Sequence, residues 1–171
     1  DLNNTLKRFV DALAEFDDTT VVFRLTADNT FPDGYLLDEI EKDFLSRKLQ
    51  YLSCNGEASG LPYGTSVEST YLRNLRDALN NTSQQYDLEH VTPYIIRKFG
   101  MRHFDKYNNL KAGLYRSTID TFEDFLTVQR VFFNIKNPIL APITLLIEKL
   151  KKIQHLHTAC NLKKLVIGGA Q

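Results

Sequence analysis

Cysteine is scarce in this chain. Cys54 and Cys160 lie far apart and outside any metal-ligand spacing, so no disulfide framework is expected and a reducing cytoplasm is the expected setting. Neither sign of charge is in surplus. Lys plus Arg and Asp plus Glu both number 21, which gives no electrostatic reason to expect nucleic acid or an anionic membrane as a partner. Long apolar runs are missing too: stretches such as Pro138–Ile147 are too short to span a bilayer and contain Pro138 and Pro142. No signal peptide, internal repeat or low-complexity tract is recognisable. What is present is the composition of an ordinary soluble globular protein, 43% apolar and 25% charged, in 171 residues suited to one domain with a substantial core. The chain starts at Asp1 without a methionine and runs at once into a helical pattern, which suggests a piece of something longer.

Periodicity supplies the elements. Leu2, Leu6, Phe9, Val10, Leu13 and Phe16 recur at helical spacing and predict an amphipathic helix from about Leu2 to Phe16. Thr20–Leu25 is a β-rich, mostly apolar run, as expected of a strand covered on both faces. Turn formers fill the loop after Ala27; a helix over Tyr35–Arg47, a short strand at Gln50–Cys54 and a glycine-marked loop over Asn55–Gly64 follow. Further on, Ser66–Ser69 reads as a strand, Thr70–Leu79 as a helix, and Tyr86–Phe99 as a helix that Pro93 should end or kink. Leu114–Ile119 reads as a strand, Phe122–Asn134 and Pro142–His155 as helices, and Leu162–Ile167 as a strand followed by glycines. Alternating helices and strands imply an α/β sheet with helices on its faces.

The chemistry concentrates at strand ends, where open α/β sheets collect ligands. Asp28, followed by Asn29 and preceded four residues earlier by Arg24, stands just after one strand; Asp120 stands just after another. Two carboxylates meeting at one sheet edge would make a hard oxygen site for Mg²⁺ of the kind used in phosphoryl or nucleotidyl transfer. The alternative reading is structural: Asp28 starts an Asx turn, and Asp120-Thr121-Phe122-Glu123 caps a helix as a variant capping box. Glu89-His90 offers a group for proton transfer from a sugar hydroxyl, or simply a surface histidine near a helix start. His155, His157 and Cys160 follow no known ligand pattern.

Four motifs, taken in order, go further. They are Arg24-Leu25-Thr26-Ala27-Asp28-Asn29, Pro62-Tyr63-Gly64-Thr65-Ser66-Val67-Glu68, Glu89-His90-Val91-Thr92-Pro93-Tyr94-Ile95, and Ser117-Thr118-Ile119-Asp120-Thr121-Phe122-Glu123-Asp124-Phe125. Together they resemble the spore coat polysaccharide biosynthesis cytidylyltransferases, relatives of the CMP-ketodeoxyoctonate and CMP-sialic acid synthetases, over about Asp1 to Asn134. The resemblance implies a three-layer nucleotide-diphosphosugar-transferase-like α/β fold, a Rossmann-like mixed sheet flanked by helices. It implies transfer of a cytidylyl group from CTP to a sugar hydroxyl with release of pyrophosphate, by a homodimer. By the same resemblance Asp28 and Asp120 hold Mg²⁺, and Arg24, Asn29, Glu68, Glu89 and His90 match positions lining the nucleotide and sugar side of the cleft. The segment from Pro62 to Leu72 resembles the part that meets a second subunit.

Three departures from the family pattern stand out. Thr30 replaces a proline, and Ser66 replaces an aspartate. The family's N-terminal Gln-Ala-Arg and Arg-Leu-Pro-Gly-Lys loop, with the first βαβ segment, is missing, so the chain as given is expected to be inactive. Residues 1–160 are read as the cytidylyltransferase-like domain. Residues 161–171 are read as a linker or the start of a following domain, since Val166–Gln171 resembles the first strand of an aldo-keto reductase barrel. Two rival readings remain: a non-catalytic dimerising scaffold of the same fold, and a transferase using another nucleoside triphosphate.

Overall fold

The computed structural model describes residues 3–167, which divide into two compact units. The first comprises the chain through Leu25, Leu37–Cys54 and Val67–Phe104; the second comprises Thr26–Leu36, Asn55–Ser66 and the chain from Asp105 on.

In the first unit, helix α1 spans Thr5–Ala12, and the Asn4 side chain caps it by accepting the Lys7 N–H at 2.9 Å. It stops short of the predicted Phe16. The chain turns instead, so that the carbonyls of Ala14 and Phe16 accept from the Arg76 guanidinium at 3.2 and 3.1 Å. Strand β1 (Val21–Arg24) follows, then helix α2 (Gly34–Ser46), whose residues from Leu37 belong to this unit. Strands β2 (Tyr51–Ser53) and β3 (Glu68–Tyr71) complete a sheet of order β1-β3-β2, antiparallel at both pairings. Strand β1 forms an edge of this sheet and only its Val22 is buried, less cover than a two-faced strand would have.

Helix α3 (Leu72–Asn81) starts two residues later than predicted, because β3 continues through Tyr71 against Val21. The predicted break at Pro93 is there: α4 (Gln85–His90) and α5 (Pro93–Phe99) are separate helices, with Val91 at φ 74° between them and Pro93 in the first turn of α5. The corner is fastened by Asp87, whose carboxylate accepts from Arg97 at 2.8 and 2.6 Å and from the Thr82 hydroxyl at 2.5 Å. Leu6, Val22, Tyr51, Leu72, Leu75, Ala78, Val91 and Ile95 form the core. Helices thus flank a small sheet, the α/β class that the alternation implies.

The second unit holds α6 (Phe122–Phe132) and α7 (Ile143–Ile167), packed on each other. Phe31 meets Phe132 edge-to-face at 6.1 Å, and Val131, Leu146 and Leu150 of the same unit are buried. Leu114–Ile119 is not the predicted strand. It makes isolated bridges, Asn29 to Thr118 antiparallel and Tyr63 to Arg116 parallel, and Leu114 is 86% exposed. Side chains account for the irregularity: the Thr30 hydroxyl takes the Ser117 carbonyl at 2.8 Å, displacing a regular ladder bond. Helix α7 also departs from expectation, continuing to Ile167 where a strand is predicted from Leu162. A helix satisfies its own backbone, whereas a strand there would need a neighbour. Gly168–Gln171, part of the proposed barrel strand, lie outside the described residues.

Candidate active site

The two aspartates singled out by the sequence sit on neighbouring segments of the second unit. The Ile119 N–H donates to the Asp28 carbonyl at 3.0 Å, and Asn29 bridges Thr118, so Asp28 stands across from the residue preceding Asp120. Thr118, itself buried, donates its hydroxyl to the Asp28 carboxylate at 2.8 Å. The Asn29 amide donates to the Ser66 carbonyl at 3.4 Å.

The segment 115–119 is also held from its other side. Tyr63 N–H donates to the Tyr115 carbonyl at 2.8 Å, and Ser117 N–H donates to the Tyr63 carbonyl at 2.7 Å. Gly64 allows this approach. Its φ is +98°, and a Cβ there would lie 2.4 Å from the Thr118 nitrogen. From α7, the Gln154 amide accepts the Arg116 N–H at 3.2 Å and donates to the Arg116 carbonyl at 2.8 Å, a side-chain replacement for a neighbouring strand.

Asp120 does not cap α6. Thr121 is the cap: its hydroxyl accepts the Asp124 N–H at 3.2 Å, and the Asp124 carboxylate returns to the Thr121 N–H at 3.0 Å. The box is shifted one residue from the predicted frame because Thr121 is followed three residues later by Asp124, while Asp120 meets Glu123. Burial pushes the Asp124 carboxyl up, but bonds from the Asp120 and Thr121 N–H groups and the nearby Arg116 leave it below the usual carboxylate value. Asp120 keeps a half-exposed carboxylate paired with Arg116, which also reaches Asp124 at 3.2 Å. Capping and metal ligation therefore do not compete at Asp120.

Arg24 and Glu68 come together in the first unit. They face each other across β1 and β3, with Arg24 Nη1 donating to Glu68 at 2.6 Å. The buried Glu68 carboxylate also accepts from the Tyr51 hydroxyl at 2.5 Å and the Thr92 hydroxyl at 2.8 Å. Burial, then the adjacent Glu68 charge, pushes the Tyr51 phenol well above its ordinary range, so it stays a donor. Three donors hold the buried Glu68 carboxylate, which makes it an anchor for Arg24. Glu89 and His90 lie exposed on α4, the His90 ring 4.4 Å from that of Tyr86.

Of Pro62–Leu72, only Tyr63, Ser66 and Tyr71 keep exposed surface. Cys54 is buried and its thiol is pushed up to about 12, chiefly by burial, which leaves it inert as a nucleophile. Among the described residues no three His, Cys, Asp or Glu side chains group as a metal cage, and no helix is long and apolar enough to cross a membrane.

Sequence reasoning missed Thr118, Arg116, Gln154, Tyr51 and Thr92. Arg116 had a signal, an opposite charge four residues before Asp120; Thr118 and Thr92 stood inside the quoted motifs without a role, and Tyr51, acting over 17 positions, left no signal.

No family profile matches the chain. Among curated proteins, it is 32% identical over 125 residues to an uncharacterized protein of Methanocaldococcus jannaschii, covering 71% of this chain and 49% of that protein. It is 29% identical over 130 residues to the spore coat polysaccharide biosynthesis protein SpsF of Bacillus subtilis, covering 74% of this chain and 52% of that protein. The chain thus spans about half the length of these relatives. Among solved structures, a cytidylyltransferase from Leptospira borgpetersenii matches with a TM-score of 0.76 and 26% identity, over 88% of this chain and 63% of that one.

Proposed function

We propose, from the likeness to a cytidylyltransferase structure and to SpsF, that the function of this chain is to move a cytidylyl group from CTP onto a sugar hydroxyl, releasing pyrophosphate, in the cytoplasmic synthesis of surface-polysaccharide precursors. The observation that supports this reading is the juxtaposition of the Asp28 and Asp120 segments through the bond from Ile119 N–H to the Asp28 carbonyl.

The donor chemistry fits Mg²⁺, which takes one or two carboxylates and fills its octahedron with water and phosphate oxygens. Asp28 and Asp120 would hold it. When bound it would neutralise charge on the phosphate oxygens. The chain's own residues do the rest. Thr118 fixes one oxygen of Asp28, and Asn29, bonded to Ser66, keeps the turn after it in shape. Arg24, braced by Glu68, would offer its remaining N–H groups to phosphate. Glu89 and His90 would orient the acceptor sugar, with His90 taking the hydroxyl proton. Glu68 supports Arg24.

Pyrophosphate release from a panel of nucleoside triphosphates, with candidate sugars and with or without Mg²⁺, tests the reading. Metal-dependent release from CTP, abolished by Asp28→Asn, is expected of a protein that carries this domain together with the family's Arg-Leu-Pro-Gly-Lys loop. Release from UTP or GTP alone would reassign the nucleotide. The homodimer belongs to the same proposal; with so little of Pro62–Leu72 exposed, a partner there would rest on Tyr63, Ser66 and Tyr71.

A second reading, a non-catalytic scaffold, is favoured by the burial of Glu68 among structural partners and by Ser66 in place of an acidic residue. Absence of CTP binding in a chain that assembles with a partner would select it.

A further inference from the structure

Arg116 pairs with Asp120, and nothing in the functional reading uses it. Its Nη2 donates to the Asp120 carboxylate and its Nε to Asp124 at 3.2 Å, with the guanidinium 5.2 Å from the Tyr63 ring centre. The two carboxylates are not equivalent. Asp124 is committed to the helix cap, accepting from the Asp120 N–H at 3.1 Å and the Thr121 N–H and hydroxyl at 3.0 Å each. Asp120 has Arg116 as its side-chain partner and is half exposed.

We propose that Arg116 is an exchangeable counter-ion: it neutralises Asp120 until that carboxylate is taken by a divalent cation, and the freed guanidinium then binds the nucleotide's phosphates. This rests on the carboxylate site proposed above. Three observations support it. The pair is exposed, 41% for Arg116 and 50% for Asp120, and ion pairs this wet contribute little, so giving one up costs little. The second bond, to Asp124, tethers the guanidinium after Asp120 is gone, while Tyr63 lies beside it. The Arg116 backbone cannot wander, because Gln154 holds both its N–H and its carbonyl. A planar fork thus tethered, with donors released, suits bidentate phosphate recognition.

The test titrates Mg²⁺ alone, then CTP with Mg²⁺, into the full chain by calorimetry, for wild type, Arg116→Gln, Arg116→Lys and Asp120→Asn. Removing the competing cation in Arg116→Gln should tighten Mg²⁺ alone by about fivefold, the equivalent of an exposed ion pair at the upper end of its range. CTP binding should weaken about tenfold with loss of a charged, bidentate contact. Arg116→Lys should keep wild-type Mg²⁺ affinity, having a charge for Asp120, but lose CTP affinity, having no fork. Asp120→Asn should lose Mg²⁺. Arg116→Gln with unchanged or weaker Mg²⁺ affinity, beside a wild type that binds Mg²⁺ through Asp120, overturns the exchange while leaving the carboxylate site standing. Absence of Mg²⁺ binding in wild type overturns both.

Discussion

Thr118 donates its hydroxyl to the carboxylate of Asp28 at 2.8 Å across 90 positions of sequence. The bond orients one oxygen of the aspartate, and it comes from a residue two positions before Asp120, so one short segment both supplies the second carboxylate and steadies the first. Thr118→Val keeps the shape and removes the donor. It should cost about 1 kcal/mol of stability, the net worth of a typical hydrogen bond, and weaken Mg²⁺ binding several-fold. Urea denaturation and calorimetry together read both effects.

Gly64 permits the approach that sets this geometry. Gly64→Ala forces a left-handed φ of +98° on alanine and pushes its Cβ to 2.4 Å from the Thr118 nitrogen. A loss of about 2 kcal/mol or more is expected, with loss of Mg²⁺ binding as segment 117–120 shifts. A thermal melt beside a metal titration checks it; a variant with wild-type values of both would show that the segment does not depend on this contact.

Much of the fold was legible because it follows from local chemistry. Helical spacing around Leu6, Phe9 and Val10 located α1, and Pro93 divided α4 from α5. The misreadings share a cause: tertiary partners that sequence does not display. Arg76 takes the carbonyls that would have continued α1. Thr30 and Gln154 satisfy the backbone of residues 116–117 without a strand. At the candidate site the strand-end rule and the motif resemblance pointed to Asp28 and Asp120, although the segment before Asp120 forms isolated bridges and no strand. The cap was misplaced by one residue, because Thr121–Asp124 and Asp120–Glu123 are patterns of equal spacing and only geometry separates them.

The Glu68 anchor has a pH signature. The Tyr51 phenol is raised above its ordinary value of 10.0, so the native state holds its proton where the unfolded chain releases it. Stability contributed there is full below pH 10 and falls as pH rises beyond it. Tyr51→Phe should cost about 1–2 kcal/mol at neutral pH by leaving Glu68 short of a donor. It should also flatten the alkaline decline, as measured by urea denaturation between neutrality and high pH.

Asp87 behaves in the opposite sense. The Arg97 guanidinium holds its carboxyl below the ordinary 3.8, with Thr82 adding a further bond against the opposing effect of burial. Its contribution is present above 3.8 and lost as pH falls toward the lowered native value. Asp87→Asn should therefore be less stable than wild type at neutral pH, with the gap closing in acid. Urea midpoints across the acid range measure it.

The most direct test counts bound Mn²⁺, a paramagnetic substitute for Mg²⁺, on the full chain by electron paramagnetic resonance. The account expects one ion per chain in wild type and its loss in Asp28→Asn and in Asp120→Asn alike. Retention of that ion at wild-type affinity in both variants would contradict it.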